Sequence, residues 1–377
     1  MPRTASPLEP TLRLALVPGI GPTRLAALLA RFGTAEGVLR APSAEVARLP
    51  GFGAGLARRV AAAAGAEGGA RAREAIRALA DAGAVALTRD DDGYPQRIRE
   101  LHDPPVVLYL RGDPTLLGHP GIGVVGTRTP TPYGRSAAEG LAAELTRAGY
   151  AIVSGMARGI DAAAHAAALA TGGATIGVLG HGIDRVYPAE NRLLFRRVAQ
   201  RGLLLSELPP GEEPLAGNFP RRNRLIAALS AGVLVVEMGE RSGARHTVDY
   251  ALELGREVFA VPGPIGSPAS AGTNQLLKEG ARLVTSARDV LEELHGVGNA
   301  DAPPPLPPSA PPPSPPPAPE LPEEEARVLA ALGLEPRHVD ELAAAVSLPT
   351  SRVLGALLGL ELGGRVVALP GKLFRVG

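Results

Sequence analysis

Cysteine is absent from this chain of 377 residues, which excludes disulfides, thiolate metal sites and a cysteine nucleophile and makes an intracellular setting the simple expectation. Lysine is nearly absent, since Lys278 and Lys372 are the only two. Positive charge is therefore almost wholly arginine, a usage that a GC-rich genome explains for most positions and that also supplies planar forks for phosphate. Aromatic residues make up 3% of the chain, so each one in a loop needs a reason. Long apolar runs are missing too. Arg, Asp or Gly interrupts every such stretch, and the opening "MPRTASPLEP" has no apolar segment, so a soluble cytoplasmic protein without membrane contact is expected. A net charge of +1 gives no global bias toward any partner, and a basic surface would have to be local.

What is present is enough apolar content, 45%, to bury the cores of two or three globular units. Four segments are expected: 1–85, 86–298, 299–322 and 323–377. The first contains an internal repeat, "VPGIGPTRLAALLARFG" and "LPGFGAGLARRVAAA", each a Pro-Gly-x-Gly turn opening an apolar-periodic helix. This resembles a tandem helix-hairpin-helix domain (SAM-like), whose turns can offer N–H groups to a DNA phosphate. A packing role without DNA is equally open. Residues 303–322, "PPPLPPSAPPPSPPPAPELP", predict an extended proline-rich linker reaching about 3.1 Å per residue. The tail predicts three helices and a hairpin around a Pro-Gly turn, a winged-helix domain. Arg352, Arg365, Lys372 and Arg375 are its basic residues near the third helix and wing, a sparse set, and DNA contact and protein contact remain open alternatives.

From 121 to 295 short β-branched runs ("IGVVG", "YAIVSG", "ATIGVLG", "LLLSE", "GVLVVEM", "EVFAVPG", with "RLVT" at an edge) alternate with amphipathic helices. That pattern predicts an α/β fold, a Rossmann-like doubly wound parallel sheet. Ligands bind such sheets at the carboxyl ends of the strands, and the loops there are rich in Gly, Ser, Thr, Asn and Arg, the groups that phosphate oxygens require. Familiar nucleotide motifs fail. "GIGVVG" (121–126) falls inside a predicted strand, the next strand ends in Ser154-Gly155 rather than an acid, and no P-loop occurs. Asp161 and His165 stand at i, i+4, but Asp161 reads as a helix N-cap. His181 and His246 have no neighbouring carboxylate or nucleophile. Binding of phosphates is expected, with no catalytic residue, metal or cofactor. Arg128, Arg158, Arg185 and the cluster Arg221, Arg222 and Arg224 are spread over four loops, which suits a groove following several phosphates. Phe219 and Tyr187 could stack bases there or simply pack the loops. The cluster poses a question of its own, because the helix is predicted to begin after it, at "LIAALSA". Cations ahead of a helix N-terminus cost about 0.3–1 kcal/mol each unless an anion lies between.

Several motifs together, "YPQRIRELHDPPVVLYLRGD", "GVVGTRTPTPYG", "SGMARGIDAAAH", "YPAENRLL", "SELPPG" with "NFPRRNRLIAALS", and "REVFAVPG" with "GTNQLLKEGA", resemble in order and spacing the DprA (Smf) family of DNA-processing proteins. The resemblance covers nearly the whole chain. It implies a non-catalytic protein that binds single-stranded DNA, commonly as a homodimer, and loads the RecA recombinase in natural transformation and recombination despite single-strand-binding protein. The implied DNA-binding set is Gly126, Thr127, Arg128, Ser154, Gly155, Arg158, Gly159, Arg185, Tyr187, Asn191, Phe219, Arg221, Arg222, Asn223 and Arg224, with Phe219 through Arg224 forming a wall opposite Arg128. Departures from the family pattern occur at Arg245 and His246 in "SGARHT" and at His181 in "GHG"; groove extension and drift both explain them. The rival reading is a nucleotide-processing phosphoribohydrolase of the LOG-like group on a related Rossmann fold, though its P-G-G-x-G-T signature is missing. A helix-hairpin-helix nuclease or glycosylase would need clustered carboxylates, and "TRDDDG" reads better as a turn.

Overall fold

The structure is a computed structural model in which residues 8–295, 322–332, 337–362, 365–369 and 371–376 are described. The chain divides into two units, Met1–Ala310 and Pro311–Gly377. All but the last residue of the expected proline-rich linker lies outside the described residues.

Six helices open the first unit: α1 (Leu8–Ala15), α2 (Pro22–Phe32), α3 (Ala35–Arg40), α4 (Ser43–Ala47), α5 (Gly53–Ala63) and α6 (Ala66–Asp81). The repeated turns lead into α2 and α5, as the sequence repeat predicts. Proline at the first position of α2 costs no hydrogen bond there, and Thr34 caps α3 by accepting from the Gly37 amide at 3.0 Å. Leu56, Val60 and Ala63 fall on one face of α5 at helical spacing and are buried with Leu12, Leu14 and Leu28.

The sheet has nine strands: β1 (Ala84–Thr88), β2 (Val107–Gly112), β3 (Gly121–Val125), β4 (Ala151–Ser154), β5 (Thr175–Leu179), β6 (Leu203–Ser206), β7 (Ser230–Val235), β8 (Glu257–Ala260) and β9 (Arg282–Leu283). Their order is β1-β2-β6-β5-β4-β3-β7-β8-β9. Strands β3 to β9 are parallel, whereas β1 and β2 add an antiparallel edge. Strand β1 was not foreseen from the sequence; "AVALT" lacks a clear two-residue alternation and gains its place by pairing with β2.

Side chains alternate between the two faces, as the pleat requires. Ile122, Val124, Ile152 and Leu234 point to one side, where α8 (Pro132–Arg147), α9 (Ile160–Ala170) and α14 (Ala287–His295) cover them. Val125, Val153, Val233 and Val235 point to the other, under α7 (Gln96–Arg99), α11 (Asn218–Leu229), α12 (Ala244–Glu253) and α13 (Ala271–Lys278). The remaining helix, α10 (Arg192–Arg201), joins the N-terminal helices in a third cluster through Phe195 and Val198, with Tyr109 and Leu204 from the sheet. The N-terminal domain is thus packed onto the sheet domain.

The second unit has α15 (Glu323–Ala331), α16 (Val339–Val346), α17 (Thr350–Leu362) and strands β10 (Arg337–His338), β11 (Val366–Leu369) and β12 (Leu373–Val376), ordered β10-β12-β11. Val328, Leu342, Val353, Leu357 and Phe374 form its core. Three helices and a hairpin make the expected winged helix. No single helix among the described residues is long and apolar enough to cross a membrane.

Phe259 is fully buried at the centre of β8, so Phe259→Ala should lower stability by about 3–5 kcal/mol in urea unfolding. A cost below about 1 kcal/mol would contradict close packing at this point.

Candidate nucleic-acid groove

Strand order reverses between β3 and β7, since the chain runs from β3 outward to β6 on one side and from β7 outward to β9 on the other. This is the switch point at which a doubly wound sheet leaves a crevice. A groove of about 630 Å³ occupies it, lined by Gly126, Thr127 and Arg128 after β3, Ala157 and Asp161 after β4, Phe219, Pro220, Arg222 and Asn223 of α11, and residues 239 and 241–244 after β7. The two walls expected from the sequence therefore meet.

The β3 wall is held by Glu237, which is 2% exposed. Its carboxylate accepts from the Thr131 amide at 2.8 Å and the Thr131 hydroxyl at 2.6 Å, while its carbonyl accepts from the Thr127 amide at 2.8 Å. Thr131 in turn caps α8 through the Gly134 amide. Gly159, at φ 76°, passes directly under this loop. A Cβ there would lie 2.8 Å from the Arg128 carbonyl carbon, so the position needs glycine twice over, for its conformation and for its clearance.

Arg128 is exposed and forms no ion pair among the described residues; its guanidinium lies 5.7 Å from the centre of the Phe219 ring. Phe219 is also 5.5 Å from the Tyr187 ring, and Tyr187 meets His181, which stacks on Phe195. Phe219 is half-buried and Tyr187 is exposed, so both offer surface at the groove. A smaller pocket of about 110 Å³, lined by Arg128, Gly155, Arg158, Tyr187 and Phe219 among others, adjoins it.

The arginine cluster has a different geometry from that expected. Helix α11 starts at Asn218, so all three arginines lie within the helix rather than ahead of it. Their fates diverge. Arg222 is 5% exposed and forms part of the groove floor, where it donates to the carbonyls of Gly155 at 2.8 Å and Val178. Burial, more than any charge, pulls its pKa down to about 10. Gly155 has no side chain because a Cβ would sit 2.8 Å from the guanidinium. Arg224 points into the interior, paired with Glu207 at 2.6 Å and Asp103 at 3.2 Å, and does not line the groove. Arg221 reaches Glu207 at 3.5 Å and lines a separate cleft against the first hairpin turn, beside Gly21.

Other expected residues support the groove without lining it. Ser154 is fully buried and its hydroxyl donates to Val124 O at 2.6 Å. Asn191 donates to the carbonyls of Met156 and Ala157 at 3.0 and 3.2 Å, holding the loop after β4 from behind. Arg158 is tied to Glu190, and Arg185 to Glu213 and the Gly211 carbonyl, on the far side of Tyr187. Asp161 is not the N-cap of α9, a position that belongs to Gly159. Its buried carboxylate instead accepts from the amides of Gly155 and Ala157 at 3.1 and 3.3 Å, and burial raises its pKa. His165 does not share a ligand with it. The Thr175 hydroxyl donates to Ile152 O, so it accepts from His165 Nδ1 at 2.7 Å, and burial brings that histidine down to about 3, which keeps it neutral. His181 is likewise buried, its pKa lowered first by desolvation. Arg245 is bound by Asp249 and Glu279 at 3.1 and 2.8 Å and does not extend the groove, nor does His246 line it. Arg241, overlooked in the sequence, does line it. The signal was there, because Arg245 has an acid at i+4 and Arg241 does not.

A doubly wound domain with a basic, aromatic-edged groove at its switch point, preceded by tandem hairpins and followed by a winged helix, defines a multidomain protein with a basic cleft. The family model for DNA recombination-mediator protein A matches residues 85–295, the DprA winged helix domain matches 312–372, and a SAM-like helix-hairpin-helix tandem matches 12–66. The chain belongs to the DprA (Smf) family of DNA-processing proteins. It is 34% identical to Protein Smf of Synechocystis over 95% of this chain and 96% of that one, and 41% identical to Protein Smf of Escherichia coli over 77% of each. DprA of Bacillus subtilis is 47% identical over 53% of this chain and 68% of its own. Among solved structures, Streptococcus pneumoniae DprA matches with a TM-score of 0.64 at 36% identity, covering 75% of this chain and 95% of that one. Helicobacter pylori DprA, whose structure reports a single-stranded DNA binding mode of that protein, matches with a TM-score of 0.52 at 34% identity, covering 56% and 95%.

Arg224→Ala should cost about 3–5 kcal/mol in denaturant unfolding, because buried Glu207 loses its partner at 2.6 Å and keeps only Arg221 at 3.5 Å. Arg128→Ala should stay within about 0.5 kcal/mol of the parent. Equal effects would overturn the separation of interior from groove.

Proposed function

We propose that the groove binds single-stranded DNA without cutting it, and that the protein delivers the bound strand to the RecA recombinase during recombination, including natural transformation. The observation that carries this reading is the pairing of Arg128 with Phe219 and Tyr187 across from Arg222. Guanidinium groups supply sites for phosphates and the rings supply faces for unpaired bases, the combination that single-strand grooves use. Family membership and the H. pylori relative support it. A duplex keeps its bases stacked inside, so the rings would have nothing to meet.

The delivery step, competition with single-strand-binding protein, action as a homodimer and a cytoplasmic location rest on the family alone. Gly126 and Thr127 with Arg128 form the first phosphate contact in this proposal. Phe219, Asn223 and Arg222 form the facing one. Ser154, Gly159, Asn191 and Arg224 keep the walls in place. The phosphoribohydrolase reading has no comparable support, and the P-G-G-x-G-T signature is missing from the turn after β7.

Binding of labelled single strand should weaken steeply with salt, with a log–log slope of about −0.7 per phosphate contacted. Duplex should bind far more weakly. Phe219→Ala should lose about 1–3 kcal/mol of affinity for the strand, with unfolding unchanged beyond its packing share. Duplex affinity equal to single-strand affinity would overturn the groove reading, and hydrolysis of nucleoside monophosphates would restore the enzyme reading. RecA filament growth on strand already coated with single-strand-binding protein, with and without this protein, tests delivery.

A further inference from the structure

Beyond Tyr187 lies a second cavity, of about 480 Å³, lined by Arg111, Arg185, Arg192 and Arg196 together with Phe195 and Glu213. Four guanidinium groups face one carboxylate, and that carboxylate is already used by Arg185 at 3.0 Å. Among the described residues Arg111, Arg192 and Arg196 form no ion pair and no side-chain hydrogen bond. Their placement comes from different elements. Arg192 opens α10 and Arg196 follows one turn later, on the same face of the helix, where like charges repel. Arg111 stands on β2 two residues after Tyr109, so it shares the sheet face that α10 covers. Arg192 and Arg196 are exposed, so solvent rather than a protein carboxylate meets their guanidinium groups and leaves them available to an anion. Tyr187 and Pro214 line both this cavity and the groove, so the two are neighbours across one tyrosine ring.

We infer that this cavity is a second station for the same single strand, holding phosphodiester groups of the nucleotides that leave the groove past Tyr187. The inference rests on the proposed single-strand reading of the groove. It assigns Arg111, Arg192 and Arg196 to backbone contact without base preference, because Tyr187 at the entrance is the one aromatic face exposed there and Phe195 is buried. Glu213 limits the charge of the cavity by occupying Arg185.

Fluorescence anisotropy with oligothymidylates of about 6 and about 20 nucleotides, lengths that bracket common single-strand site sizes, separates the two stations. The double variant R192Q/R196Q, both side chains exposed on α10, should lower affinity for the longer strand about tenfold or more at low salt and make its salt slope shallower by about 0.7 per lost phosphate contact. Affinity for the short strand should stay within about twofold, since the groove alone holds it. Adding Arg111→Gln should deepen only the long-strand loss. Equal losses for both lengths would show a general field effect and overturn the second station, as would no loss for either. Arg128→Ala separates this outcome from failure of the groove reading, because it should weaken both lengths; if it weakens neither, the groove itself is misread.

Discussion

The buried guanidinium of Arg222 ties together four elements around the groove. It belongs to α11, donates to carbonyls at the ends of β4 and β5, and is coupled to Asp161 at the start of α9. A buried cation without acceptors would cost several kcal/mol, so the carbonyls of Gly155 and Val178 are requirements rather than ornaments. They can be reached only if residue 155 has no side chain. Asp161 then fixes the same loop from the other side through two amides. The position of Arg128 follows, because Gly159, in that loop, is the surface on which the β3 loop rests, and Glu237 clamps it from β7.

Much of this was legible in the sequence, and the parts that were not share one cause. The β-branched runs gave six strands and the edge strand in order, and the loops after them gave the groove, because a parallel sheet buried on both faces writes its pattern plainly. The repeat in the first domain and the winged helix were equally readable. What could not be read was the start of α11. With the helix placed after Arg224, the three arginines look like one cationic patch. With the helix starting at Asn218, each residue turns the direction by about 100°, so Arg222 points about 100° from Arg221 and about 160° from Arg224, whereas Arg221 and Arg224 lie about 60° apart and share Glu207. One faces the N-terminal hairpin, one the groove floor and one the interior. Pro220 reads as a helix breaker in the sequence, yet it sits in the first turn, where proline is tolerated.

The same lesson applies to polar residues in glycine-rich loops. Ser154, Asn191 and Asp161 have the chemistry of ligand contacts, and all three spend it on backbone groups, Ser154 on strand β3 and the other two on the loop after β4. Composition cannot distinguish a donor aimed at a ligand from one aimed at a carbonyl a few residues away, because both satisfy the rule that buried polar groups are paired. Arg245 was the exception that the sequence could have resolved, through its acid one turn on.

The electrostatics of the groove follow from this division of labour. The buried carboxylates near it are committed: Asp161 to amides, Glu237 to Thr131, Glu207 to Arg224 and Arg221. Arg128 is left without a carboxylate, resting on the face of Phe219, and its charge acts to lower the pKa of Arg222 beneath it. An anion placed between these two cations is attracted to both, and at short range that attraction exceeds the repulsion between them. A cation–π contact of about 0.5–1 kcal/mol at an exposed site is weak enough for Arg128 to leave the ring when a base takes its place. In the proposed reading the groove thus presents Arg128 where a strand would meet it, held at a strength that a base can displace.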